Sequence, residues 1–139
     1  MGEYILNQNI RKFETGATRD SLGAKLQYEG YFNPLVLKRF AEYMKKHQTQ
    51  SDGSQRTSWN WQLNIPMEDL LDSKIRHDFD VWLHLDGYSE EATETLEESL
   101  CASIFNTMGI LKQVLESSGR GLKGLEKIKE RKNLAREEK

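Results

Sequence analysis

A chain of 139 residues suits one domain, long enough to bury roughly two-thirds of its unfolded surface. Charged residues make up 30% of it, yet the net charge is only −2, which disfavours a globally basic nucleic-acid binder. The single cysteine, Cys101, excludes an intramolecular disulfide. Neither a signal-peptide pattern nor a membrane-length apolar run is found, so a reducing cytoplasmic setting is expected, with no membrane or nucleic-acid partner.

Residues 1–32 carry Gly16, Gly23 and Gly30 among Thr, Arg, Asp and Lys without sustained apolar periodicity, which predicts an irregular N-terminal arm. Asn33-Pro34 then reads as a helix start, Asn as N-cap and Pro as first helical residue. Val36, Leu37, Phe40, Ala41 and Met44 form its stripe, and it is expected to end near His47. Residues 48–65 are polar, with turn chemistry at Ser51-Asp52-Gly53-Ser54 and an aromatic pair in Trp59-Asn60-Trp61. Pro66 opens a second helix to about Leu85, with Gly87 as its stop. Its stripe of Met67, Leu70, Leu71, Ile75, Phe79 and Trp82 is expected to face the core. A third helix is expected from Ser89, as N-cap, to Ser117, with Leu100, Ile104, Phe105, Met108, Leu111 and Leu115 on its apolar face. Residues 119–139 hold eight basic and four acidic groups and predict a charged, partly ordered C-terminal helix. The fold class is therefore all-α. A small bundle of three main helices occupies residues 33–118 of a single domain, between the arm and the charged segment.

Chemistry-bearing residues concentrate between Arg76 and Glu98. Six acids and no Lys or Arg lie from Asp86 to Glu98. His77, Asp80 and His84 recur at i, i+3 and i+7 and share a helical face; Glu94, Glu97 and Glu98 are expected to do the same on the next helix. Facing carboxylates suit a hard divalent ion, Mg²⁺ or Mn²⁺, which keeps several waters and completes its shell with phosphate. Helical geometry nominates Glu42, Asp80, Glu94 and Glu98 as its ligands. Acids at a helix start are also ordinary partners of the helix dipole, and His77 reads equally as a ligand or as a hydrogen-bonded core residue. Arg19 and Lys25 can fold over a polyphosphate or be scattered surface charge, and the tryptophans can stack on a base or plug a gap between helices.

The succession RKFETGATRD, PLVLKRFAEYMKKH, NWQLNIP, RHDFDVWLHLDGY and EESLCASIFNTMG spans about residues 10–115. It resembles the bacteriophage proteins grouped as the dATP/dGTP diphosphohydrolase N-terminal type, related to MazG-like all-α nucleotide pyrophosphohydrolases. The resemblance implies a metal-dependent hydrolase that removes pyrophosphate from a purine deoxynucleoside triphosphate, working as a homo-oligomer on the nucleotide pool. Asn60 and Trp61, Arg76 and His77, and Asn106 stand at its matching positions. Asn60, Trp61, Arg76 and Asn106 are expected to bind substrate with Arg19 and Lys25, and Glu98, His77 and Asp80 to carry catalysis. This chain has SEEATETLEESL where many members resemble an ESG segment followed by paired histidines. That departure keeps a second reading open, a non-catalytic phage nucleotide-binding protein that sequesters a host signalling nucleotide. A third, an interaction module working through the charged C-terminal segment, leaves the tryptophans and Arg76-His77 without a role.

Overall fold

The computed structural model describes residues 10–20, 25–119, 133, 134 and 137. Its internal contacts divide the chain into two units, Met1–Leu37 and Lys38–Lys139. In the first, β1 (Ile10–Lys12) and β2 (Thr18–Asp20) pair antiparallel with Arg11 opposite Arg19. Phe13 N–H donates to Ala17 O at 2.8 Å across the turn. The expected irregular arm is thus a hairpin over these residues. Three-residue strands are too short for an apolar alternation to mark them. A single turn, α1 (Tyr28–Tyr31), follows. Asn33 caps α2 (Pro34–Lys46) as predicted, its Oδ1 accepting from Leu35 N at 2.9 Å and Val36 N at 3.3 Å.

The second unit is built on α3 (Met67–Leu85) and α4 (Leu96–Ser117), which pack along each other. Leu70, 2% exposed, lies against Gly109, where an added Cβ would stand 3.0 Å from Leu70 Cδ1. Glycine there permits the close approach. Asn106, buried between the two helices, donates to Ser73 Oγ at 3.2 Å and to Ala102 O at 2.9 Å. From the other side α2 reaches α4 through Tyr43, which clusters with Cys101 and Ala102 and is flanked by Phe40, Met44 and Phe105.

Two sequence expectations are corrected here. The third helix starts at Leu96, not after Ser89: Ser89–Glu91 form one 3-10 turn, and Thr95 is the N-cap, its hydroxyl accepting from Glu98 N at 3.2 Å. Glu94 therefore precedes the helix and shares no helical face with Glu97 and Glu98. The α3 stripe, expected to form the core, is largely outward. Leu70 is buried, but Leu71, Ile75, Phe79 and Trp82 are half to two-thirds exposed. α3 stops as predicted: Gly87 takes φ +92°, Tyr88 N–H donates to Leu83 O and Gly87 N–H to His84 O, a Schellman closure.

Residues 48–65 form an ordered loop. Thr49 and Gln55 bridge, Asn60–Leu63 make a 3-10 turn, and Asn64 turns left-handed at φ 64°. Lys112 and Gln113 of α4 pin its end, Gln113 Nε2 donating to Ile65 O at 2.6 Å and Lys112 Nζ to Asn64 Oδ1 at 3.2 Å. Among the described residues no helix is long and apolar enough to cross a membrane. The expected C-terminal helix lies, apart from Gly119, Asn133, Leu134 and Glu137, outside the described residues.

Candidate functional site

The loop pinned to α4 closes a cavity of about 550 Å³ against the end of α2, within the size range of small-molecule sites. Phe40, Met44, Trp61, Phe105 and Met108 supply its apolar surface; Lys45, His47, Arg56 and Asn60 supply its polar groups. The local causes are readable. Phe40 and Met44 lie one helical turn apart on α2, as do Phe105 and Met108 on α4. The 3-10 turn presents Asn60 and Trp61 together. Flat aromatic and thioether surface beside two permanent cations can hold a planar ring and an attached anion.

Next to this cavity, Glu98 is surrounded by bases. Its Oε1 accepts from Lys46 Nζ at 3.2 Å and Arg39 Nη2 at 3.4 Å, and His47 Nε2 stands 3.6 Å from Oε2. Arg39 also meets Glu97 at 2.7 Å. Burial pushes the Glu98 carboxyl up, but the hydrogen bonds and charge of Lys46, with His47 and Arg39, outweigh it and hold the group below the usual glutamate range. The His47 ring packs on Tyr43, centroids 4.4 Å apart. The Tyr43 phenol is pushed up to about 12, first by burial and then by the charges of Glu94 and Glu98, so it remains a neutral donor at physiological pH.

The predicted His77, Asp80 and His84 do share a face, and that face holds the α3–α4 connection. Asp80, buried, accepts from both the backbone N–H and the hydroxyl of Thr93. His84 Nε2 lies 2.7 Å from the Glu94 carbonyl, which can only accept, so Nε2 carries a proton, and Nδ1 is hydrogen-bonded with Ser89 Oγ at 2.9 Å. His77 Nδ1 is 2.9 Å from Glu94 Oε2. Lower on the helix, Lys74 bridges Asp78 at 2.8 Å and Ser103 at 3.3 Å.

The structure brings together some predicted residues and separates others. Asn60 and Trp61 line the cavity. At the α3–α4 connection His77 pairs with Glu94 and Asp80 with Thr93, two separate contacts. Glu98 belongs to the separate cluster with Arg39, Lys46 and His47. Arg76 pairs with Asp72 at 2.6 Å on the exposed side of α3, Asn106 ties α3 to α4, and Glu42 is exposed on α2. Arg19 on β2 and Lys25 are exposed in the first unit. Sequence reasoning missed Lys45, His47 and Arg56. His47 was legible only as a helix end, and Arg56 lies in a polar loop whose folding back no periodicity announces.

A divalent ion needs several convergent oxygens. Among the described residues no three His, Cys, Asp or Glu side chains gather to hold one. Asp80 is engaged by Thr93 and Glu98 by three bases. Glu94 Oε2 is buried without a hydrogen bond of its own, His77 being at ion-pair distance. One such oxygen is not by itself a cage of ligands. Compared with known proteins, the chain matches no family model, no curated protein and no solved structure.

Proposed function

We propose that the chain binds a purine nucleotide in the cavity between α2, the 48–65 loop and α4. One observation carries the reading: Asn60 and Trp61, one of the matching elements of the nucleotide-enzyme resemblance, line a cavity that also presents Arg56 and Lys45. In this reading the base lies against Trp61 with Asn60 at its polar edge, and phosphates meet Arg56, Lys45 and His47. Stacking on an aromatic ring contributes about 1–3 kcal/mol per base. Arg and Lys differ usefully here, the guanidinium taking two phosphate oxygens and the ammonium acting as a point charge.

Hydrolysis of a bound dATP or dGTP to monophosphate and pyrophosphate is the further chemistry that the resemblance implies. No metal-borne step follows from these side chains. The chain without turnover is the sequestering protein of the second reading.

The test is incubation of the purified chain with deoxynucleoside triphosphates and cyclic dinucleotides, with Mg²⁺ or EDTA, then chromatography of the denatured mixture and calorimetric titration. Binding weakened roughly 5- to 100-fold by Trp61→Ala supports the cavity. Metal-dependent release of pyrophosphate establishes the hydrolase; intact nucleotide recovered from a tight complex establishes sequestration. Binding of none of these ligands sinks both.

A further inference from the structure

Among the described residues the buried polar side chains are Thr57, Asp80, Ser99 and Asn106. Asp80 holds Thr93, Asn106 holds Ser73, and Ser99 does not line the cavity. Thr57 does line it, at 8% exposed, and its hydroxyl has no hydrogen-bond partner among the described residues. Unlike the hydroxyl of Ser99, it is not sealed among protein atoms. A buried hydroxyl left unbonded costs stability, so one that opens on a cavity marks a place for a ligand's polar atom. The backbone fixes where it stands. Arg56 N–H donates to Gln48 O at 2.7 Å on one side, and Asn60 N–H donates to Thr57 O at 3.1 Å on the other. The second bond closes a four-residue turn, which sets the Cα atoms of Thr57 and Asn60 within about 7 Å of each other, with Trp61 next in the chain.

We propose that Thr57 is a specificity-determining residue of the cavity, its hydroxyl bonding the polar group at C6 of a bound purine. This rests on the nucleotide reading above, in which the base lies against Trp61 with Asn60 at its polar edge. The turn places Thr57 beside Asn60 at that edge, whereas the phosphates meet Arg56, Lys45 and His47. The ring position follows from what a hydroxyl can do. It donates or accepts, so it matches the amino group of adenine and the oxo group of guanine alike, and C6 is where both purines carry a polar substituent. Threonine therefore admits either purine. It disfavours one with hydrogen at C6, because the hydroxyl then stays unbonded in a wall built from Phe40, Met44, Phe105 and Met108.

The experiment is calorimetric titration of the full chain, Thr57→Val and Thr57→Ser, with EDTA and with Ca²⁺. The probes are dATP, dGTP and their analogues with hydrogen at C6, the triphosphates of purine deoxyriboside and 2-aminopurine deoxyriboside. The unaltered chain and Thr57→Ser should bind dATP and dGTP roughly 5- to 30-fold more tightly than the matching analogue. Thr57→Val should erase that difference while its Tm stays level or rises. An unaltered chain that treats each pair alike overturns the proposal whatever the variants do, as does a valine variant that keeps the difference. Equal weakening of all four triphosphates by Thr57→Val also overturns it, because the hydroxyl then meets sugar or phosphate. Those three results leave the nucleotide reading standing. No binding by the unaltered chain, or binding that Trp61→Ala leaves unchanged, removes that reading and this assignment together.

Discussion

The two faces of α3 invert the simplest expectation about an amphipathic helix. The inward face, Leu70, Ser73, His77, Asp80 and His84, is mostly polar; the outward face, Leu71, Ile75, Phe79, Trp82 and Leu85, is apolar. The inward face is tolerated because its side chains find specific partners: Asp80 has Thr93, His84 has Ser89 and the Glu94 carbonyl, and Ser73 has Asn106. A buried polar group costs several kcal/mol only when it is left unbonded. The difference teaches that apolar periodicity identifies a continuous face without saying which way it turns.

The largest test of that contrast sets adjacent leucines against each other. Leu70→Ala should lower stability by about 3 kcal/mol in urea unfolding, because it opens a cavity against Gly109. Leu71→Ala should cost less, because that side chain is already half exposed. Equal losses would erase the distinction between the faces. Asp80→Ala comes next, expected to cost about 2 kcal/mol because Thr93 loses a charged acceptor. Amide exchange over residues 87–95 should accelerate with it; an unchanged exchange pattern would show that the inward polar face does not hold the connection.

Smaller still is Gly109→Val, expected to lose about 1–2 kcal/mol as the added branches press on Leu70, against a helix-propensity gain that partly offsets the clash. A stabilised variant would mean that α3 and α4 can separate without cost. The smallest effect concerns Glu98. Its folded pKa lies below the usual glutamate value, so its contribution is fully present above that value and is lost as pH falls through the folded one. Glu98→Gln should therefore cost under about 1 kcal/mol at pH 7 and flatten part of the acid-side loss of stability. The difference from the unaltered chain isolates Glu98 from Asp78, which Lys74 and Ser103 also hold low against the upward push of burial. Identical pH profiles would remove the basic cluster from the account.

Much of the helical framework was legible. Asn33-Pro34 starts a helix because an asparagine oxygen can reach two free amides and proline lacks the one it would waste. Gly87 stops one because glycine adopts positive φ without a Cβ penalty. The start at Thr95 was also written in the chain, as Thr95-Leu96-Glu97-Glu98 has the spacing of a capping box, which the preceding acids obscured. Of the candidate site, Asn60 and Trp61 were legible as an unusual aromatic turn. The basic groups beside them were not, because Lys45, His47 and Arg56 come together only when the loop folds back.

By itself the sequence determined an all-α chain, the limits of α2 and α3, and the clustering of acids before α4, because caps, turns and periodicity act within a few residues. The tertiary structure alone decided which stripe is inward, which acids are engaged by bases, and that Trp61 and Arg56 share a cavity. Those outcomes depend on pairs such as Lys46 with Glu98 and Gln113 with Ile65, some fifty residues apart, whose meeting no local pattern encodes.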